Sequence, residues 1–284
     1  MRLIDAKQII QSNGNFNLYR GCTHGCIYCD ARSTCYQIKA FEHVGVKKDA
    51  VQKVREELAK KRKKCMLRTG GMSDPYVTIE KHTEIFRDIL HEIYASGFGI
   101  EVLTKSDLVL RDLALYKSIH ERYRVVMALT LTTVDDELAR IIEPHVSLPS
   151  ERLAALKQFH EAGVITGVWL TPVIPFITDS VENIEAIVKA CHKVGVTYIM
   201  NFGMGLTLRD GNREYFYQHL DKHFKGLKAK YIETFGNQYI CNSFNKTNLQ
   251  NTFETLCNRY GILYKHNDIQ ALIHKEKQVQ IQLL

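Results

Sequence analysis

Only five prolines and one tryptophan occur in 284 residues, and no Pro- or Ser-rich stretch divides the chain. A linker between two independent domains is therefore not expected. No apolar run reaches about 18 residues, which excludes a transmembrane helix. The opening MRLIDAKQII lacks the basic-then-apolar layout of a signal peptide. Cytoplasmic residence with no membrane partner is the expectation. Internal repeats and low-complexity tracts are missing too, so solenoid and disordered classes drop out.

What is present suits a globular protein with a full core: 45% of residues are hydrophobic and 24% charged. Lys and Arg exceed Asp and Glu by 38 to 31, a formal charge of +7. That balance favours an anionic partner such as nucleic acid, although mildly basic enzymes that bind none are common. Eight cysteines without an export signal argue for reduced thiols serving as ligands rather than for a disulfide framework.

Short β-rich runs alternate with longer segments of helical period, the pattern of βα units around a parallel sheet. The candidate strands are Phe16–Tyr19, Cys65–Thr69, Ile100–Thr104, Arg124–Leu131, Ile165–Leu170 and Thr197–Phe202. Helical periodicity covers Val46 to Leu58, Ile79 to Ala95, Leu108 to Ile119, Arg152 to Glu161 and Val181 to Val194. Ser106 or Asp107 and Ser150 are candidate helix starts; Gly97, Gly163 and Gly195 stand where helix C-termini need a left-handed residue. Six strands followed by helices predict an α/β fold, an incomplete barrel over residues 1–205. Beyond it, 206–284 reads as a mainly helical extension packed on the barrel, with helices near Tyr215–Phe224 and Asn248–Tyr260 and a short apolar stretch at Ile269–Ile273.

The chemistry concentrates in Tyr19-Arg20-Gly21-Cys22-Thr23-His24-Gly25-Cys26-Ile27-Tyr28-Cys29-Asp30, where three thiols crowd one loop after the first strand. Soft sulfur ligands at this spacing select zinc or an iron–sulfur cluster. Zinc would want a fourth ligand, for which His24 is the local candidate in a loop too short to wrap one tetrahedral ion comfortably. A cubane takes one cysteine per iron corner, so three cysteines leave one iron open to a ligand that does chemistry. A zinc-stabilised nucleic-acid-binding protein without catalysis is the rival reading.

The C-x3-C-x2-C spacing with an aromatic before the last cysteine resembles the radical S-adenosylmethionine superfamily. The resemblance extends through Thr69-Gly70-Gly71-Met72-Ser73-Asp74-Pro75-Tyr76, Thr104 to Asp112, Glu143-Pro144 and Thr171-Pro172-Val173-Ile174-Pro175, and is similar to the spore photoproduct lyase-like branch over roughly Asn17 to Ser180. It implies a partial (β/α)6 TIM-type barrel with its site at the C-terminal mouth of the strands. It implies a [4Fe–4S] cluster on Cys22, Cys26 and Cys29 that reductively cleaves S-adenosylmethionine to a 5′-deoxyadenosyl radical, and a reducing partner such as flavodoxin or ferredoxin. Carried over, Tyr28 lies beside the adenine, Ser73 and Lys105 contact the methionyl part or ribose, Thr130 or Thr132 reaches the ribose, and Gly70 and Gly71 approach the amino group. Met72 stands where the superfamily usually has an acidic residue. In the lyase a cysteine two residues ahead of the Ser-Asp pair returns a hydrogen atom to the product radical; here that position is Gly71. The resemblance implies hydrogen abstraction from a substrate, for which nucleic acid is the candidate class.

Cys35, Cys65, Cys191, Cys241 and Cys257 lack the spacing for a second cluster and read as small buried residues, Cys35 being near enough to the loop to face a cavity. The basic run Lys60 to Lys64 precedes the second strand and belongs at the bottom of the barrel. Arg209 to Tyr217 interleaves Arg with aromatics near the mouth, which suits stacking of bases or closure of a core. The closing Gln280-Ile281-Gln282-Leu283-Leu284 resembles the short peptides by which repair proteins bind a sliding clamp; a tail folded onto the domain is the other reading.

Overall fold

The computed structural model describes residues 2–274. Its centre is a five-stranded parallel sheet of β4 (Met66–Thr69), β5 (Gly99–Thr104), β6 (Val125–Thr130), β7 (Ile165–Leu170) and β8 (Tyr198–Asn201), paired in that order. All six residues of β6 are buried, as a strand covered on both faces requires. Val125, Met127 and Leu129 join the large core under the helices, while Val126 and Ala128 face inward. Before the sheet lies a smaller one of β1 (Arg2–Ile4), β2 (Tyr19–Arg20) and β3 (Gly45–Lys47) in the order β1-β3-β2.

The outer helices are α1 (Ala50–Lys60), α2 (Glu80–Thr83), α3 (Ile85–Ser96), α4 (Leu113–Arg122), α5 (Asp136–Ile142), α6 (Pro149–Glu161) and α7 (Val181–Lys193). Gly97, Gly163 and Gly195 have φ of 75°, 79° and 78°, the left-handed conformation expected of them. Pro149 opens α6 at its first turn, where its missing N–H costs nothing.

Several expectations change. The first strand, anticipated at Phe16–Tyr19, survives beside β4 only as a bridge at Asn15; Tyr19 pairs with β3 in the other sheet. Val46 is in a strand and the helix starts at Ala50, because apolar spacing alone does not separate the end of a short buried strand from the helix after it. The segment from Ile79 breaks at Glu84, whose φ is 52°. The segment from Leu108 starts as a 3-10 turn over Asp107–Asp112, with the Ser106 side chain accepting from the Leu108 amide. Ser150 does not cap its helix; its hydroxyl donates to Asp136.

Past β8 the chain makes β9 (Gly205–Thr207), α8 (Asn212–His223), α9 (Leu227–Phe235), β10 (Ile240–Asn242), α10 (Lys246–Tyr260) and α11 (His266–His274), with β9 and β10 antiparallel. The apolar stretch at 269–273 is thus part of a helix. Leu263 pairs beside Tyr198, and α11 then lays Ile269 and Ile273 against Val126, Ala128 and Met200 on the inward face of the sheet. No helix among the described residues is long and apolar enough to cross a membrane. Residues 280–284 lie outside the described residues.

Candidate cofactor and cluster site

At the C-terminal ends of β4 to β7 a cavity of about 460 Å³ has Cys22, Cys26 and Cys29 in its wall, together with Tyr28, Gly70, Gly71, Ser73, Lys105 and Thr130. Residues far apart in sequence meet here because parallel strands end on one side. Thr132 is not in that wall; it is buried two residues on, its hydroxyl without a partner.

The glycines differ in kind. A Cβ on Gly70 would lie 1.9 Å from the Leu103 carbonyl oxygen, and its φ is 100°; Gly71 faces open space. Gly70 is needed for the backbone to pass β5, and Gly71 leaves the wall flat toward the cavity. Ser73 donates to the Tyr19 carbonyl at 2.9 Å, tying the end of β4 to the start of the cysteine loop and leaving its oxygen able to accept. Met72, at the position where the resemblance leads to an acidic residue, lines the cavity as well.

Sequence reasoning missed the groups that hold these in place. Asp74 Oδ1 accepts from the Thr104 hydroxyl at 2.7 Å and the Tyr76 amide at 2.8 Å. Its Oδ2 accepts from the Lys105 amide at 2.8 Å and lies 3.5 Å from His24 Nδ1. One carboxylate thus joins two strand ends and the cysteine loop. Glu143 is fully buried; it accepts from the Tyr28 hydroxyl and pairs with the fully buried Arg152, which also donates to the Thr130 carbonyl at 3.0 Å. Burial works to raise the Glu143 pKa, but Arg152, Lys105 and the Tyr28 hydroxyl outweigh it and hold the carboxyl below its ordinary value. Both acids stood in the quoted motifs, but the signal for their role was a partner 50 residues away or an Arg in the next helix.

Burial pushes the Cys22 thiol up to about 12, with the Asp74 charge adding, and raises Cys26 and Cys29, where Lys105 opposes it. Lys105 itself is disfavoured by burial, yet Cys26, Glu143 and Asp74 raise its pKa, so it stays an ammonium facing the cavity. Thiols buried this way ionise when a metal replaces the proton. No three His, Cys, Asp or Glu side chains among the described residues are gathered closely enough to hold one metal ion. Three soft thiol donors of one loop in a shared wall are a donor set that fits an iron–sulfur cluster.

Elsewhere the candidates fall to structural roles. Phe216 closes a small core, Arg213 donates to the carbonyls of Leu208, Gly236 and Gln238, and Tyr215 stacks on Arg32. Cys191, Cys241 and Cys257 are buried, Cys65 is half-buried off the cavity, and Cys35 is exposed with Sγ 3.5 Å from the Arg209 guanidinium. Lys61 and Lys64 in the basic run bond to backbone carbonyls at Gln11, Ser12 and Ser96.

The family profile described as the Radical SAM superfamily matches residues 16–181. The uncharacterized protein Rv2578c of Mycobacterium tuberculosis (strain ATCC 25618 / H37Rv) is 31% identical over 227 residues, 77% of this chain, and the chain spans 66% of that protein's length. The uncharacterized protein MJ0683 of Methanocaldococcus jannaschii is 32% identical over 165 residues, 57% of this chain and 61% of that protein. Among solved structures, spore photoproduct lyase complexed with dinucleoside spore photoproduct matches with a TM-score of 0.65 at 14% identity, covering 93% of this chain and 82% of the lyase. At that identity the likeness is one of fold.

Proposed function

The chain belongs to the radical S-adenosylmethionine superfamily, and on that premise we propose that Cys22, Cys26 and Cys29 hold a [4Fe–4S] cluster in an enzyme that abstracts hydrogen from its substrate. When bound, the cluster and S-adenosylmethionine supply an electron and the 5′-deoxyadenosyl radical that does the abstraction. The observation that carries this reading is the shared wall: three thiols of one loop face the same cavity as Lys105, Ser73 and Thr130 from three strand ends.

The chain's own groups then have definite work. Lys105 presents an ammonium to the cofactor carboxylate, and Ser73 accepts from the amino group in place of the missing acid. Thr130, with its carbonyl fixed by Arg152, offers its hydroxyl to the ribose. Tyr28 has its hydroxyl bound to Glu143, so its ring faces the adenine rather than its oxygen. Asp74 and Glu143 touch no cofactor atom in this scheme; they hold Lys105, His24 and Tyr28 in position.

The substrate class we favour is nucleic acid, supported by the excess of seven positive charges, and the electron donor is a flavodoxin- or ferredoxin-type protein. Zinc as the resident metal is disfavoured by the family. The test is anaerobic reconstitution with iron and sulfide, then reductant and S-adenosylmethionine. Brown protein that releases 5′-deoxyadenosine, and a Cys26→Ala variant that holds little iron and releases none, are the expected results. Undiminished iron, sulfide and 5′-deoxyadenosine in Cys26→Ala would remove the assignment.

A further inference from the structure

A second cavity, of about 440 Å³, lies inside the barrel and meets the first at Gly71, Met72, Leu103, Trp169 and Phe202. It fills the gap that an incomplete barrel leaves between β8 and β4, bounded by α11 on one side and the Asn15–Asn17 segment on the other. Arg68 and Glu101 are the only Lys, Arg, Asp or Glu side chains in its wall among the described residues.

Glu101 is 8% exposed. Arg68 Nε lies 3.1 Å from one oxygen of its carboxylate as an ion pair, and the remaining lone pairs of the carboxylate keep acceptor capacity toward the cavity. Burial raises the Glu101 pKa, with Arg68 opposing. The Arg68 head is turned to α11, donating to Gln270 Oε1 at 3.3 Å and contacting His274. Opposite, Trp169 and Phe202 form a tilted pair at 5.1 Å, and Phe202 is 60% exposed.

The fixed charges of Arg68 and Glu101 cancel, and His266 is the remaining titratable side chain in the wall among the described residues. A phosphate held there would need uncompensated cations, and a bare cation would need an uncompensated carboxylate. A flat, uncharged group with N–H donors and carbonyl acceptors on its edge meets both demands: the ring stacks on one of Trp169 and Phe202, whose planes are 60° apart, while its edge meets Glu101 and the amides of Asn17 and Gln270. We propose that this cavity binds the reacting portion of the substrate, a neutral planar heterocycle of nucleobase type, with Glu101 accepting from a ring N–H and any phosphate left outside. The inference rests on the radical reading in that the cavity opens onto the cofactor cavity, and it names the part of the substrate that enters. The ring arrives either as a free nucleoside or on a strand.

Equilibrium dialysis of the reconstituted holoenzyme against radiolabelled uridine and adenosine, uridine 5′-monophosphate, and a short oligouridylate tests it. Saturable binding of at least one nucleoside is expected, weakened tenfold or more in Glu101→Gln and several-fold in Gln270→Ala, a change on a helix at the barrel's edge that keeps the test decidable should the first variant fold poorly. The monophosphate should bind more weakly than uridine to the wild type, and that gap should narrow in Glu101→Gln, where Arg68 is left unpaired. Tighter binding of the oligouridylate assigns the ring to a strand; equal binding assigns it to a free nucleoside. No saturable binding of any ring, or binding unchanged in both variants, overturns the proposal. 5′-Deoxyadenosine release by the wild type is measured alongside. Release without ring binding defeats the pocket alone, and ring binding without release defeats the radical reading alone.

Discussion

Lys105 and Gly70 show how differently two neighbouring site residues act. Lys105 supplies charge to the cavity, and charge-assisted hydrogen bonds contribute about 1.5–3 kcal/mol. Lys105→Gln should therefore weaken S-adenosylmethionine binding by at least tenfold while iron and sulfide stay bound; dialysis of the cofactor alongside iron analysis checks both halves. Gly70 supplies only space: Gly70→Ala forces a Cβ into the Leu103 carbonyl at a positive φ, a strain of about 1–3 kcal/mol before the clash is counted. A thermal melt should show a clear loss of stability, whereas Gly71→Ala, with open space around it, should melt near the wild type. The three cysteines were legible because their meaning lies within eight residues of sequence. Asp74 and Arg152 were not, since a buried acid or Arg becomes informative only when the groups around it are known.

Loop and barrel are joined by the chain Tyr28, Glu143, Arg152 and the Thr130 carbonyl, which runs from the cysteine loop through the end of α5 and α6 to β6. Removing one partner of a buried pair costs about 3–5 kcal/mol because the other is stranded. Arg152→Ala should thus unfold at markedly lower temperature and hold its cluster poorly. The pH dependence has a definite sign. The folded carboxyl of Glu143 is held below its ordinary value of 4.5, so its stabilisation is present above that value and is lost as pH falls through the lower folded value. The gap in melting temperature between wild type and Glu143→Gln should be widest near neutrality and shrink below about 4.5. A gap independent of pH would mean that the charge on Glu143 contributes nothing. Strands β4 to β8 and most outer helices were readable because parallel strands buried on both faces carry dense apolar runs and the helices keep one apolar face; α5, only seven residues long, was not. The first strand was misplaced because one bridge leaves too little periodicity to see, and α9 with the β9–β10 pair was missed because these elements are short and half exposed.

At the scale of the whole molecule the chain shares the lyase's fold, and Gly71 stands where the resemblance places the lyase's hydrogen-donating thiol. The residue two before Ser73 is Gly71, and its flat position leaves the cavity wall without sulfur there. Cys65 precedes β4, four residues back from Thr69 and roughly 13 Å at about 3.3 Å per residue, and is in the wall of neither cavity. Cys35 is exposed beside Arg209 and is likewise outside both walls. A thymine product radical formed in this enzyme would have no thiol at hand, beyond the three cysteines assigned to the cluster, to return its hydrogen atom. Past β8, α11 stands against the inward face of the sheet and narrows the barrel's gap to a cavity of about 440 Å³. Given a thymine dinucleotide spore photoproduct, the reconstituted enzyme should release 5′-deoxyadenosine without converting the dinucleotide to thymines over many turnovers. Chromatography of both products from one incubation decides the matter. Clean multiple-turnover conversion that survives Cys35→Ala would show that a hydrogen donor other than a nearby thiol serves this site, and that the substrate is the lyase's after all.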